Sequence, residues 1–256
     1  MTMQMKKDVH LTGKDLMGMV QLRPEDIGKY AIVPGPKERL DGLLKCIENP
    51  IKNFSFMEYT MYTGDYAGTR VTAINGGRFS ADTGITTEIL CNAKPQAMIR
   101  IGSCGSLSED IKIGELVVID SAVCGDGVTP YYVDDRNYEP QSDKSLTDSL
   151  FEVAQASGNK VHRGKTWSTD AILRETREHV GGAIDKGAVA VDMVTSTFLT
   201  ICAQYKIPAT AIMAVSDHII TGEMGFLDTN YYMAEHAIIG ISLDLIKKLE
   251  GQEQKV

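Results

Sequence analysis

The sequence predicts an α/β protein: a single-domain three-layer sandwich, spanning residues 1–256, around a mixed, mainly parallel sheet. Three observations point there. Short apolar runs recur between glycine-rich turns, helix-patterned segments separate them, and no Pro/Ser-rich linker, charge block or internal repeat divides the chain. Strands that alternate with helices imply parallel neighbours covered on both faces.

The elements follow in order. Tyr30–Pro34 (YAIVP) reads as a buried strand ended by Gly35-Pro36. Residues 58–66 and 70–74 read as a hairpin turning at Ala67-Gly68-Thr69. Residues 81–92 have the pattern of a helix. Residues 97–101 read as a strand closed by a Gly102-Ser103-Cys104-Gly105 turn, and residues 115–120 as another strand. Lys144–Ala156 and residues 175–186 are helix candidates. Ala188–Asp192 and residues 208–215 read as strands around a helix over 193–205. The last helix carries Ala234, Ile238, Ile241, Leu245 and Leu249 at steps of three or four, one apolar stripe facing a core.

Composition narrows the function. A net charge of -8 argues against a nucleic-acid binder, which needs a basic face to meet phosphate polymers. It leaves room for a small anion held by a few local arginines. No run reaches the roughly 20 apolar residues of a membrane helix, and the first residues lack an apolar leader core. The five cysteines are scattered and never in CxxC spacing, so no disulfide framework, metal site or bound cofactor is expected. A cytoplasmic protein is the expectation.

Ligands of open α/β sheets sit beyond the carboxyl ends of strands, which singles out four segments. In Gly35-Pro36-Lys37-Glu38-Arg39, glycine lets the backbone approach an anion and Arg39 can fold over it; an ordinary Pro-Gly turn with a surface arginine is the plainer reading. Arg100 ends an apolar strand, where a charge needs a partner. The following Gly-Ser-Cys-Gly offers a hydroxyl and backbone donors suited to an anion nest, although Arg100 could equally pair with a carboxylate. Asp217, in Ser216-Asp217-His218, is a candidate general acid if partly desolvated, or else a helix cap. Asn75-Gly76-Gly77-Arg78 is a tight turn, and neither GxGxxG nor a Walker A sequence is present. Met193, Met213 and Met224 read as core residues.

Several motifs occur together and in order: HLTGKDL, AIVPGPKER, EYTMYTGDYAG, IRIGSCGSL, STDA, AVDMVTS and AVSDHI. In that order and spacing the chain resembles the nucleoside phosphorylase-I superfamily, from about His10 to the final helix. The resemblance implies a pentosyltransferase, in which inorganic phosphate, a co-substrate, attacks the anomeric carbon of a nucleoside and releases the base. It implies a phosphate cradle of Gly35, Arg39, Arg100 and Ser103. Sugar contacts would come from Met193, Val194 and a neighbouring subunit's His10, hence a homo-oligomer, a dimer or a hexamer built as a trimer of dimers. Base contacts would come from Cys104, Gly105, Ile172 and Asp192, with Asp217 as the catalytic acid toward a purine.

The chain departs from the family pattern at several points. Val194 stands where a second carboxylate usually accepts the ribose hydroxyls. Met57 replaces an arginine lent to phosphate by a neighbour, for which Arg78 is a candidate substitute. Ile172 replaces the aromatic residue stacked on the base, and Asn230 falls near the arginine that assists the aspartate. These changes suggest a purine-leaning phosphorylase with altered sugar recognition. The alternatives are a uridine phosphorylase, a phosphate-independent nucleosidase and a non-catalytic nucleoside-binding paralogue.

Overall fold

The computed structural model describes residues 9–253; residues 1–8, where the leader expectation largely rests, lie outside them. Strand β1 (Tyr30–Pro34) lies between β4 (Thr69–Ile74) and β5 (Ala97–Ser106), parallel to both. β3 (Tyr59–Tyr66) adds to β4 as a hairpin, and β2 (Glu48–Phe56) adds to β3. Ala67 and Gly68 both take positive φ (49° and 80°), as a two-residue hairpin turn of matching twist requires.

On the other side of β5 the sheet closes on itself. β6 (Leu116–Gly125), β7 (Val161–Thr169) and β8 (Ala188–Asp192) run parallel, while β8 pairs antiparallel with the end of β5. β9 (Ala209–His218) joins β6 antiparallel and β5 parallel, completing a ring β5-β9-β6-β7-β8. Short β10 (Glu223–Met224) edges β9. Cys104, Val117, Ile119, Ala190, Ala211, Met213 and Val215 pack together as one cluster, drawn from β5, β6, β8 and β9.

Helices cover both faces. α2 (Lys37–Leu44), α4 (Lys144–Ala156) and α7 (Thr229–Glu253) bury Leu40, Leu43, Leu150, Ile238, Ile241 and Leu245 against one face. α1 (Gly13–Met19), α3 (Ser80–Ala93) and α6 (Thr195–Gln204) bury Met17, Ile89, Leu90, Phe198 and Ile201 against the other. α5 (Arg177–Asp185) packs on β8 through Val180 and Ala183. No helix among the described residues is long and apolar enough to cross a membrane.

Three expectations need correction. Residues 102–106 are not a turn: β5 continues through them, paired with β9 up to Ser106 opposite His218, with a bulge between Cys104 and Gly105. Their backbone therefore pairs within the sheet rather than forming a free nest. Ser216, Asp217 and His218 likewise belong to β9 itself. Met224 is exposed on the edge strand, whereas Met213 is in the core as expected.

Candidate functional site

Gly35 follows β1, and the loop after β4 lies against it: Gly76 N–H donates to Gly35 O and Gly77 N–H to Pro34 O, both at 3.3 Å. A Cβ on Gly35 would stand 3.2 Å from Gly77 O and 3.4 Å from Arg39 Nη1, tighter than ordinary contact. The glycine thus permits three segments to meet. Arg39, in the first turn of α2, points inward with its side chain 3% exposed. Nη1 donates to Ile101 O (3.3 Å) and Nη2 to Glu235 Oε1 (2.6 Å), while Nε has no partner among the described residues.

Arg100, on β5, is buried as well. Its Nη2 meets Asp192 Oδ2 at 3.1 Å, but Nε and Nη1 have no partner among the described residues. The side chain folds over Gly102, where a Cβ would overlap Nη1. Burial pulls the Arg100 guanidinium below its ordinary pKa; Asp192 opposes that shift and Arg39 reinforces it, so the two arginines sense each other. Three buried N–H groups without acceptors, on two neighbouring cations, are costly, each by about 1–3 kcal/mol. An anion bound between the guanidiniums would relieve that cost.

Half-buried Ser103 reaches the Tyr231 hydroxyl, which also donates to Glu235 Oε1 at 3.4 Å. Burial raises the Tyr231 pKa, and Glu235 adds to it. Arg39, Glu235, Tyr231 and Ser103 form one chain of contacts. Tyr231 and Glu235 lie one turn apart on α7, and sequence reasoning missed both. Their signal was faint: two polar groups four residues apart, beside the apolar stripe of a helix.

Carboxylates gather farther along β5 and β9. Gly105 faces Asp217, whose Oδ2 would lie 3.0 Å from a Cβ there. Asp217 Oδ1 accepts from Ser216 Oγ at 2.6 Å. Glu175, just before α5, is raised to about 7 by burial and by the Asp217 charge. Nothing in the sequence marked it, because it was expected inside a helix that in fact starts at Arg177 with Thr176 as its cap. Cys104 is a buried thiol pushed up by desolvation and by Asp192 and Asp217. His218 Nδ1 accepts from Thr221 N–H (3.3 Å), leaving buried Nε2 as a donor without a partner among the described residues.

Asp192 is occupied by the fold. It accepts from Ser168 Oγ (2.7 Å), Val194 N (3.2 Å), Thr195 N (3.0 Å) and Thr195 Oγ1 (2.6 Å) besides Arg100. It thereby satisfies N–H groups at the entrance of α6 and holds Arg100 at once. Val194 is fully buried, and Met193 beside it is half-buried.

Other expected residues stand apart from this group. His10 is exposed and makes no hydrogen bond or ion pair among the described residues. Ile172 and Leu173 are exposed in a short 3₁₀ turn (Ile172–Arg174). Met57 sits at the exposed β2–β3 turn with φ 52°. Arg78 is exposed over the Phe79 ring, 5.1 Å from its centroid, and Asn230 is exposed at the start of α7.

Two buried arginines with unpartnered N–H groups among the described residues, glycines packed against them and a ring-closed α/β sheet are the features set beside known proteins. The model of the Phosphorylase superfamily matches residues 29–246, and the chain belongs to that family. Its relatives include a DeoD-type purine nucleoside phosphorylase of Jannaschia sp. (strain CCS1), 28% identical over 202 residues, covering 78% of this chain and 86% of the relative. Another, of Bacillus thuringiensis (strain Al Hakam), is 23% identical over 206 residues, covering 80% and 88%. Among solved structures, purine nucleoside phosphorylase from Toxoplasma gondii in complex with immucillin-H has TM-score 0.82 at 20% identity, covering 98% of this chain and 100% of that one. Uridine phosphorylase from Vibrio fischeri ES114 has TM-score 0.80 at 21% identity, covering 90% and 96%. At these identities the structures establish the fold.

Proposed function

We propose that the protein is a purine-leaning nucleoside phosphorylase with altered sugar recognition, which cleaves the N-glycosidic bond with inorganic phosphate. One observation carries the reading: Arg39 and Arg100 have buried N–H groups without partners among the described residues, and Arg39 lies against Gly35 and is linked to Ser103 through Glu235 and Tyr231. Phosphate held there has acceptors for each of them, and charge-assisted bonds to guanidinium are the strong kind. The names of the relatives support the reaction class.

In this reading Arg39, Arg100 and Ser103 orient phosphate toward the anomeric carbon. That orientation converts a bimolecular attack into a positioned one. As the bond breaks, the sugar gains positive charge and the base negative charge, so a proton donor at the base lowers the barrier. Asp217 fills that role next to Cys104 and Gly105, with Oδ2 free of hydrogen bonds among the described residues. Glu175 beside it holds a proton near neutrality, which keeps an acid proton at this end of the pocket. Val194 offers the sugar no acceptor, so a 2′-deoxy or otherwise modified sugar is the better fit. His10, without a hydrogen bond or ion pair among the described residues, would serve a neighbouring subunit in a homo-oligomer.

The test is a panel of purine and pyrimidine nucleosides and 2′-deoxynucleosides, with and without phosphate, read by base release. Phosphate-dependent release, strongest with a purine 2′-deoxynucleoside, is expected. Equal release without phosphate would make the protein a nucleosidase, and no release from any nucleoside would refute the reading.

A further inference from the structure

A carboxylate lies inside the cradle assigned to phosphate. Glu235 Oε1 takes Arg39 Nη2 at 2.6 Å and the Tyr231 hydroxyl at 3.4 Å, and Tyr231 in turn touches Ser103. Both bonds fall on Oε1, so Oε2 has no partner among the described residues. Asp192 already balances Arg100. The two guanidiniums therefore face two carboxylates, and the cradle carries no surplus positive charge of its own. A fully deprotonated oxyanion on Arg39 and Ser103 would meet the Glu235 carboxylate as like charge against like charge.

We propose that Glu235 is a specificity-determining residue of this site. It accepts a hydrogen bond from the protonated oxygen of hydrogen phosphate and repels oxyanions that have no proton to give. The inference rests on the phosphate reading above and deepens it. Its chemistry is general: phosphate and arsenate keep at least one proton near neutral pH, and sulfate, of the same shape, keeps none. Glu235, a quarter exposed, is a partly desolvated acceptor; an analogue without a proton to give loses the bond and sets like charges against each other, so the site discriminates against it. Tyr231 and Arg39 hold the carboxylate in place, so it need not swing aside when the anion enters.

The experiment is calorimetric titration of the full-length protein at pH 7 with inorganic phosphate, arsenate and sulfate, on wild type and Glu235→Gln. Wild type is expected to bind phosphate and arsenate alike and sulfate at least about tenfold more weakly, a difference of about 1.4 kcal/mol. Glu235→Gln, which removes the charge and keeps the shape, is expected to bring sulfate to within about threefold of phosphate, equivalent to about 0.65 kcal/mol. The wild-type comparison stands even if the variant fails to fold. Sulfate binding as tight as phosphate in wild type, or an unchanged ratio in a folded Glu235→Gln, overturns this inference alone. If wild type and variant bind none of the three anions, the phosphate reading falls, and this inference with it.

Discussion

A single methyl group at Gly102 would occupy the space that Arg100 Nη1 fills. Gly102→Ala is therefore expected to leave the fold intact while pushing the guanidinium aside. A misplacement of about 1 Å costs on the order of 100-fold in rate, so kcat/KM for phosphate should fall by roughly that factor. Steady-state kinetics with phosphate varied would show it; unchanged kinetics would mean that Arg100 does not act from this position. Glu175 gives a second expectation. Its folded pKa of about 7 lies above the ordinary glutamate value of about 4.3. The protonated form is thus favoured by folding: its contribution is full below about pH 4.3 and is lost as pH rises through about 7. Glu175→Gln, which mimics the protonated form, should match wild type in melting temperature at pH 4 and exceed it at pH 8. A gap that does not grow with pH would contradict the raised pKa that burial and the Asp217 charge give Glu175. Arg39, Arg100, Ser103 and Asp217 were legible in the sequence because a charge or acid at the end of an apolar run stands out. Glu235, Tyr231 and Glu175 were not, because long-range contacts bring them in and no local pattern marks a polar residue beside a helix stripe.

Secondary structure was read best where local chemistry and tertiary packing agree. β1, α4 and β8 matched their predicted spans, each a compact apolar or amphipathic run with clear ends. β2 was missed because it is exposed along most of its length and carries Pro50, so no alternating pattern survives. β7 was missed because Val161–Thr169 is mostly polar and only partly buried until Thr166. β5 and β9 ran past their predicted ends because glycine and serine, which look like a turn, also allow strands to close around a folded arginine. α6 starts later than predicted because Asp192, upstream of it, takes the N–H groups of Val194 and Thr195 at its entrance. That helix also anchors a core: Phe198 is fully buried among α1, α3 and β1 residues. Phe198→Ala is expected to destabilise the protein by about 3–5 kcal/mol, measurable by denaturant unfolding. A loss below about 1 kcal/mol would mean that this face repacks freely.

At the scale of the molecule, closure of the β5-β9-β6-β7-β8 ring brings the ends of β5, β8 and β9 to one place. Arg100, Asp192 and Asp217 come from those three strands, and α2 and α7 add Arg39, Tyr231 and Glu235 from outside the ring. The sequence implied the α/β class but not this closure, since pairing of β9 with both β5 and β6 leaves no trace in local periodicity. In the proposed reading the arginines form an anion end and the carboxyls an acid end, along adjoining strands. Transfer of a sugar from base to phosphate needs both ends in one reaction. Phosphorus NMR of the protein incubated with a purine 2′-deoxynucleoside and inorganic phosphate tests that most directly. A sugar 1-phosphate resonance growing in step with free base is the predicted result. Free base accumulating while the phosphate resonance stays unchanged would contradict it.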